Sequence, residues 1–140
     1  IHVFDEVRLK NATTYDMVEE LVKRYPEAKI FPDASGSARK SSAVNSDHYI
    51  IKSNPGYTVS VPKANPPVRE RVNSVNKLIR DGNFSCENCP NLIMDFERNV
   101  WSGNDIDKRD STQSHASDAI GYGINRLFPA TRKIMESVRW

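Results

Sequence analysis

Apolar positions along this chain recur with two periods, and the switches between them outline its elements. Residues 2–9, HVFDEVRL, place apolar side chains at 3, 4, 7 and 9, and with Val and Phe among them a strand is expected. Residues 11–14 form a turn in which Thr13 or Thr14 can cap a helix through YDMVEELVKRY. Met17, Val18, Leu21, Val22 and Tyr25 follow helical spacing there and mark one buried face, and Pro26 ends the helix. Residues 29–32, KIFP, predict a short strand that runs into Asp33. After a loop at 34–45, SDHYIIKS predicts a short helix or turn, and YTVSVP alternates as a strand.

The second half reads as helices. NPPVRERVNSVNKLIRDG opens with prolines and closes with Gly82 as a C-cap, and Val68, Val72, Val75, Leu78 and Ile79 line one face. NCPNLIMDFERNVW predicts a helix from near Pro90, SGNDIDKRDSTQ a polar loop or small hairpin, and SHASDAIGYGINRLFP a last helix. The tail TRKIMESVRW is left open between helix and frayed end. Strands alternating with helices in this order predict an α/β domain with helices packed on a sheet.

The 140 residues fit one domain, 1–140. No apolar run approaches the length of a membrane span, and the N-terminus has no secretory signal pattern. The chain starts with Ile in what reads as a strand already in progress, so a fragment of a longer protein is expected. A net charge of +2 permits a nucleic-acid partner without arguing for one. Cys86 and Cys89 supply half of a zinc site at most. His2, His48 and His115 lack the spacing of the other half, so plain, partly buried thiols are expected, as suits a reducing cytoplasm. No G-x-x-x-x-G-K-[ST] loop and no G-x-S-x-G elbow occur in these residues.

Candidate chemistry rests on two acids. Asp33 ends a strand and Asp118 lies in the first turns of the last helix, 85 residues on, so only the fold can bring them together. Converging carboxylates are what Mg²⁺ needs, and two such ions can clamp the attacking and leaving oxygens of a phosphodiester. The competing readings are a turn residue for Asp33 and a helix N-terminal charge partner for Asp118.

IFPDASGSARKSS, NPPVRERVNSVNKLI and SHASDAIGYGINRLFP resemble, in order and spacing, the C-terminal nuclease domain of tailed-phage large terminase subunits. HVFDEVRLKNATTYDMVEELVKRYP looks like the same family's strand and helix before its second acidic motif, so the resemblance spans nearly the whole chain. It implies an RNase H-like fold, a mixed central sheet flanked by helices, with the first strands missing from this chain. It implies a metal-dependent endonuclease that cuts concatemeric viral DNA during packaging, using two Mg²⁺ or Mn²⁺ ions. Asp33 matches the family's second acid and Asp118 its third. His115, one helical turn before Asp118, is placed to hold a phosphate or a water, or else merely neighbours the helix cap.

The family's first acid belongs on a central strand upstream of HVFDEV, outside this chain, and neither Asp5 nor Glu6 takes that role. Arg39, Lys40 and Lys108 are candidate DNA-phosphate contacts, against a solvated loop as the alternative. Asp105, Asp107 and Asp110 are weaker metal candidates, and Arg69, Arg71, Lys77 and Arg80 read as a solvated helix face. The resemblance further implies double-stranded DNA, a portal protein and a small terminase subunit as partners, an ATPase motor domain elsewhere, and the host cytoplasm as location. The alternative is a DNA- or portal-binding module without catalysis. A zinc-stabilised domain using Cys86, Cys89 and two histidines is a third reading.

Overall fold

A computed structural model describes residues 1–37, 45–107 and 114–130. Its first strand, β1 (His2–Val3), is much shorter than the expected 2–9. The chain leaves the ladder because two acids that follow are taken up by helices. Asp5 accepts bonds from Tyr25 Oη at 2.6 Å and Arg24 Nη1 at 3.1 Å. Glu6 accepts from the backbone N–H of Asn91 at 2.8 Å and of Leu92 at 3.1 Å.

Helix α1 (Thr14–Arg24) starts with a capping box, Thr13 and Asp16 each accepting from the other's backbone N–H. Its apolar stripe is half-buried rather than buried, since none of its residues is fully covered among the described ones. Strand β2 (Ala28–Ile30) leads through Asp33 into a 3-10 turn (Ala34–Ser37). Helix α2 (Asp47–Lys52) and strand β3 (Tyr57–Val59) follow, and β3 pairs parallel with β2, so this segment is a β-α-β unit. At the turn into β3, Gly56 lies so close to the chain that an added Cβ would sit 2.1 Å from Pro26 O.

Helix α3 (Val68–Arg80) ends as predicted at Gly82, whose φ of 68° is left-handed. Asn83 N–H bonds Leu78 O and Gly82 N–H bonds Ile79 O, the double closure that a glycine stop permits. A short strand not foreseen from the sequence, β4 (Ser85–Cys86), then pairs parallel with β1. Helix α4 (Pro90–Arg98) begins at its proline, and Cys89 at its cap position makes no side-chain cap bond. Glu6 replaces that cap, its carboxylate meeting the N–H groups at the positive end of the helix. The polar stretch after α4 is a hairpin, β5 (Trp101–Ser102) with β6 (Asp105–Ile106), turned by Gly103 at φ 64°. Helix α5 (His115–Leu127) closes the described chain.

Among the described residues the strands form three separate two-stranded ladders, β1-β4, β2-β3 and β5-β6, rather than the single mixed sheet expected. The described strands are two or three residues long, too short to present a continuous hydrogen-bonding edge to a third neighbour. Packing is instead centred on α5, which lies against α3 and α4 and buries Ile124, Val75 and Leu92. Fully buried Ser74 ties the far end of α5 to α3: its hydroxyl donates to Glu70 O and accepts from Asn125 Nδ2 and Ala130 N.

Candidate active site

Asp33 follows β2 by three residues, at a bend that its own side chain stabilises. Its Oδ1 accepts from Ser35 N at 2.9 Å, Ser35 Oγ at 2.8 Å and Gly36 N at 3.2 Å. The turn reading of Asp33 is thus correct for one oxygen, and all three bonds leave Oδ2 outside the turn. The bend is pinned from two further sides. Asn65 Oδ1 accepts from Ala34 N at 2.6 Å, and the ring of His48 meets Asp33 O through Nε2 at 2.8 Å. His48 is buried, and Gly36 is the residue that admits it: a Cβ there would lie 2.7 Å from the imidazole. The glycine in this small-residue turn therefore serves the packing of a histidine.

Asp118 and His115 are placed by the start of α5. Ser114 precedes that helix with φ 69° and supplies no side-chain cap. Asp95 of α4 caps it instead, accepting from Ser114 N at 3.2 Å and Ser117 N at 2.9 Å. Asn99 Nδ2 reinforces the junction with a 2.9 Å bond to Ser117 Oγ. A buried carboxylate from a neighbouring helix thus sets where α5 begins, and so which side chains its first turn presents.

Asp33, His115 and Asp118 line one open cavity of about 320 Å³, together with Phe31 and Tyr122. His115 stands exposed in the first turn of α5 and Asp118 is half-buried one turn on. The Tyr122 hydroxyl is pushed above its ordinary pKa by burial, with the charges of Asp118 and Asp33 adding to the rise and Arg71 opposing it. Both carboxylates are therefore electrostatically felt at one phenol.

Asp118 also has a partner that the sequence reading assigned to solvent. Arg71 of α3 is buried, 6% exposed, and its Nη1 donates to Asp118 Oδ1 at 2.8 Å. Its guanidinium lies 4.4 Å from the ring centre of Tyr122. Gly121 of α5 packs beside the Arg71 stem, where an added Cβ would stand 3.4 Å from Arg71 Cβ, an ordinary contact. The signal was present in the sequence: Arg71 falls on the α3 stripe that carries Val68, Val75 and Leu78, where a charge is out of place. The solvated-face reading holds for Lys77 and Arg80 and not for Arg69, although all three are exposed. Arg69 packs over the Trp101 ring at 5.4 Å and bonds Asn104, fastening the hairpin to α3.

Arg39, Lys40, Lys108 and Asp110 lie outside the described residues. Asp105 and Asp107 do not line the cavity. Asp5 and Glu6 serve α1 and α4, and neither lines the cavity. Cys89 is buried, and its thiol donates to Glu87 O at 3.0 Å. Burial first, then Cys86, pushes that thiol up to about 11, so it stays protonated at neutral pH. His2 bonds Ser85 and Glu87 and His48 bonds Asp33, and no zinc-ligand group forms among the described residues.

Mg²⁺ keeps several waters and is held by one or two carboxylates plus phosphate oxygens. Asp33 and Asp118, offered from two elements to one cavity, are oxygen donors of the type such an ion takes. Asp33, His115 and Asp118 share the cavity without forming a three-residue ligand group, so the described residues do not alone furnish a two-ion clamp.

The chain belongs to the terminase RNase H-like domain family, whose model matches residues 1–127. No curated protein and no solved structure matches it significantly. No helix of the described residues is long and apolar enough to cross a membrane.

Proposed function

We propose that this chain is a divalent-metal-dependent endonuclease module of a phage large terminase, cutting concatemeric double-stranded DNA during packaging. The observation that carries the reading is the cavity shared by Asp33, at the end of the β2 segment, and Asp118, in the first turns of α5. Family membership makes a terminase nuclease the expected owner of such a pair. Bound Mg²⁺ or Mn²⁺ would supply Lewis-acid polarisation of a phosphodiester oxygen and a more acidic water.

The protein's own part is positioning. Asp33, fixed through Oδ1 by its turn, presents Oδ2, and Asp118 is anchored by α5 and Arg71. His115 at the mouth of the cavity holds a phosphate oxygen or the attacking water. Arg39, Lys40 and Lys108 neutralise flanking phosphates, which gives grip without base preference. A portal protein, a small terminase subunit and a motor domain complete the machine, and the host cytoplasm is where it acts.

The test is nicking of supercoiled plasmid in Mn²⁺, Mg²⁺ or EDTA, by this chain and by the full-length protein. Each is compared with its Asp33→Asn and Asp118→Asn variants, their folding checked by circular dichroism. The full-length protein cuts only with metal, and each folded variant loses at least about a hundredfold in rate, the scale of removing one preorganised electrostatic group. Variants that cut normally would refute the site. Salt-sensitive DNA binding without any cleavage would favour the alternative, a DNA- or portal-binding module.

A further inference from the structure

We propose that Arg71 is a resident counter-cation of the site, which holds Asp118 in the absence of a divalent ion and keeps the site's metal affinity low until DNA arrives. The inference rests on the reading of Asp33 and Asp118 as metal ligands and adds a residue that no family match assigns.

Arg71 is built into place. It is 6% exposed, bonds Asp118 Oδ1 at 2.8 Å and covers the face of Tyr122 at 4.4 Å. It does not line the cavity shared with Asp33. It lines a neighbouring cavity of about 170 Å³ between α3, α4, the hairpin and α5. Asp118 borders both the cavity that Arg71 lines and the one shared with Asp33. Arg71 Nε is buried without a hydrogen-bond partner, so the guanidinium is committed to this position by its Nη1 bond and the tyrosine face rather than by a full set of bonds.

Oδ1 of Asp118 is engaged by Arg71, and its Oδ2 receives a long 3.4 Å bond from Ser114 Oγ. Two consequences follow from charge alone. A guanidinium bonded to that carboxylate repels any dication the carboxylate holds, since buried and half-buried charges are poorly screened. DNA phosphate brings negative charge that offsets the repulsion, so ion and substrate are taken up together. A residue with a merely structural role would act oppositely, because its removal disorders Asp118 and weakens metal binding.

The test is Mn²⁺ binding to DNA-free protein, read from the free-ion electron paramagnetic resonance signal, for wild type, Arg71→Gln, Arg71→Lys and Asp118→Asn. Arg71→Gln keeps a donor for Asp118 and removes the charge, and it tightens Mn²⁺ by about tenfold or more, the effect of a single nearby unit charge. Arg71→Lys keeps the charge and stays within about threefold of wild type, on the same electrostatic ground. A second measurement needs no variant: the Arg71 side-chain nitrogen resonances of the wild-type chain shift on saturation with Mg²⁺. Folded Arg71→Gln with unchanged or weaker Mn²⁺ binding overturns the proposal, as do Arg71 resonances that ignore Mg²⁺. Wild-type binding that Asp118→Asn leaves intact would instead overturn the metal-site reading beneath it.

Discussion

Replacing Asp95 by Ala removes the carboxylate that starts α5. Two N–H groups lose their acceptor, Ser114 N at 3.2 Å and Ser117 N at 2.9 Å, and Ser114 is 1% exposed, so water cannot replace the first bond. Hydrogen bonds to a charged group contribute about 1.5–3 kcal/mol each, and orphaning a buried N–H costs about 1–3 kcal/mol. Relief from keeping a carboxylate in a site only 3% exposed offsets part of this, leaving a net loss of about 3 kcal/mol. For a domain of this length that is a fall in melting temperature of about 10 °C. Asp95→Asn keeps an acceptor oxygen but turns an NH₂ toward a donor, and loses about half as much. Thermal and urea unfolding followed by circular dichroism give both numbers. A shift under about 2 °C for Asp95→Ala would refute the cap, and with it the account of how His115 and Asp118 are placed.

Gly36→Ala drives a Cβ to within 2.7 Å of the His48 ring and displaces it from Asp33 O. Plasmid nicking should fall about tenfold, the scale at which lost orientation is felt, while the chain stays folded. Gly56→Ala places a Cβ 2.1 Å from Pro26 O, a clash with backbone that cannot swing away, and unfolding should register a loss of about 3 kcal/mol. Asp5 is held below the ordinary carboxylate pKa first by the Tyr25 hydroxyl and then by Arg24, so its stabilisation is present above pH 3.8 and is lost as pH falls further. Asp5→Asn should flatten the acid limb of the melting curve against pH. Cys89, raised from 9.0 to about 11, contributes stability that is full below pH 9 and declines as pH rises toward 11. At pH 8 a disulfide reagent should accordingly titrate Cys86 well before Cys89, and equal rates would contradict the burial of Cys89.

The helices were legible because their signals are local. Thr13 with Asp16, Pro90 at the opening of α4, and Gly82 behind α3 act within a few residues, and each does in the structure what its chemistry dictates. The half-burial of α1 was not legible, because an amphipathic stripe states which face turns inward and not how much chain arrives to cover it. Strand extent failed for a similar reason. HVFDEVRL has strand composition, yet a ladder lasts only as long as its partner, and β4 offers two residues. Asp5 and Glu6 were read as strand residues, whereas they are bound to side chains and N–H groups contributed by α1 and α4.

By itself the sequence determined the order of the helices, the locally capped ends of α1, α3 and α4, and a resemblance, through residues such as PDASG and HASDAIGYG, to the family whose model matches residues 1–127. Asp33 and Asp118 could be named from it because motif residues are identified by type and order. Only the tertiary structure decided that those two acids open on one cavity, that Asp95 rather than Ser114 caps α5, and that Arg71 is paired with Asp118 and not in water. The physical reason is range. Caps and turns depend on neighbours a few residues away, whereas a carboxylate's partner is whatever charge or N–H the packing of two helices brings within 3 Å, and Arg71 and Asp118 stand 47 residues apart along the chain.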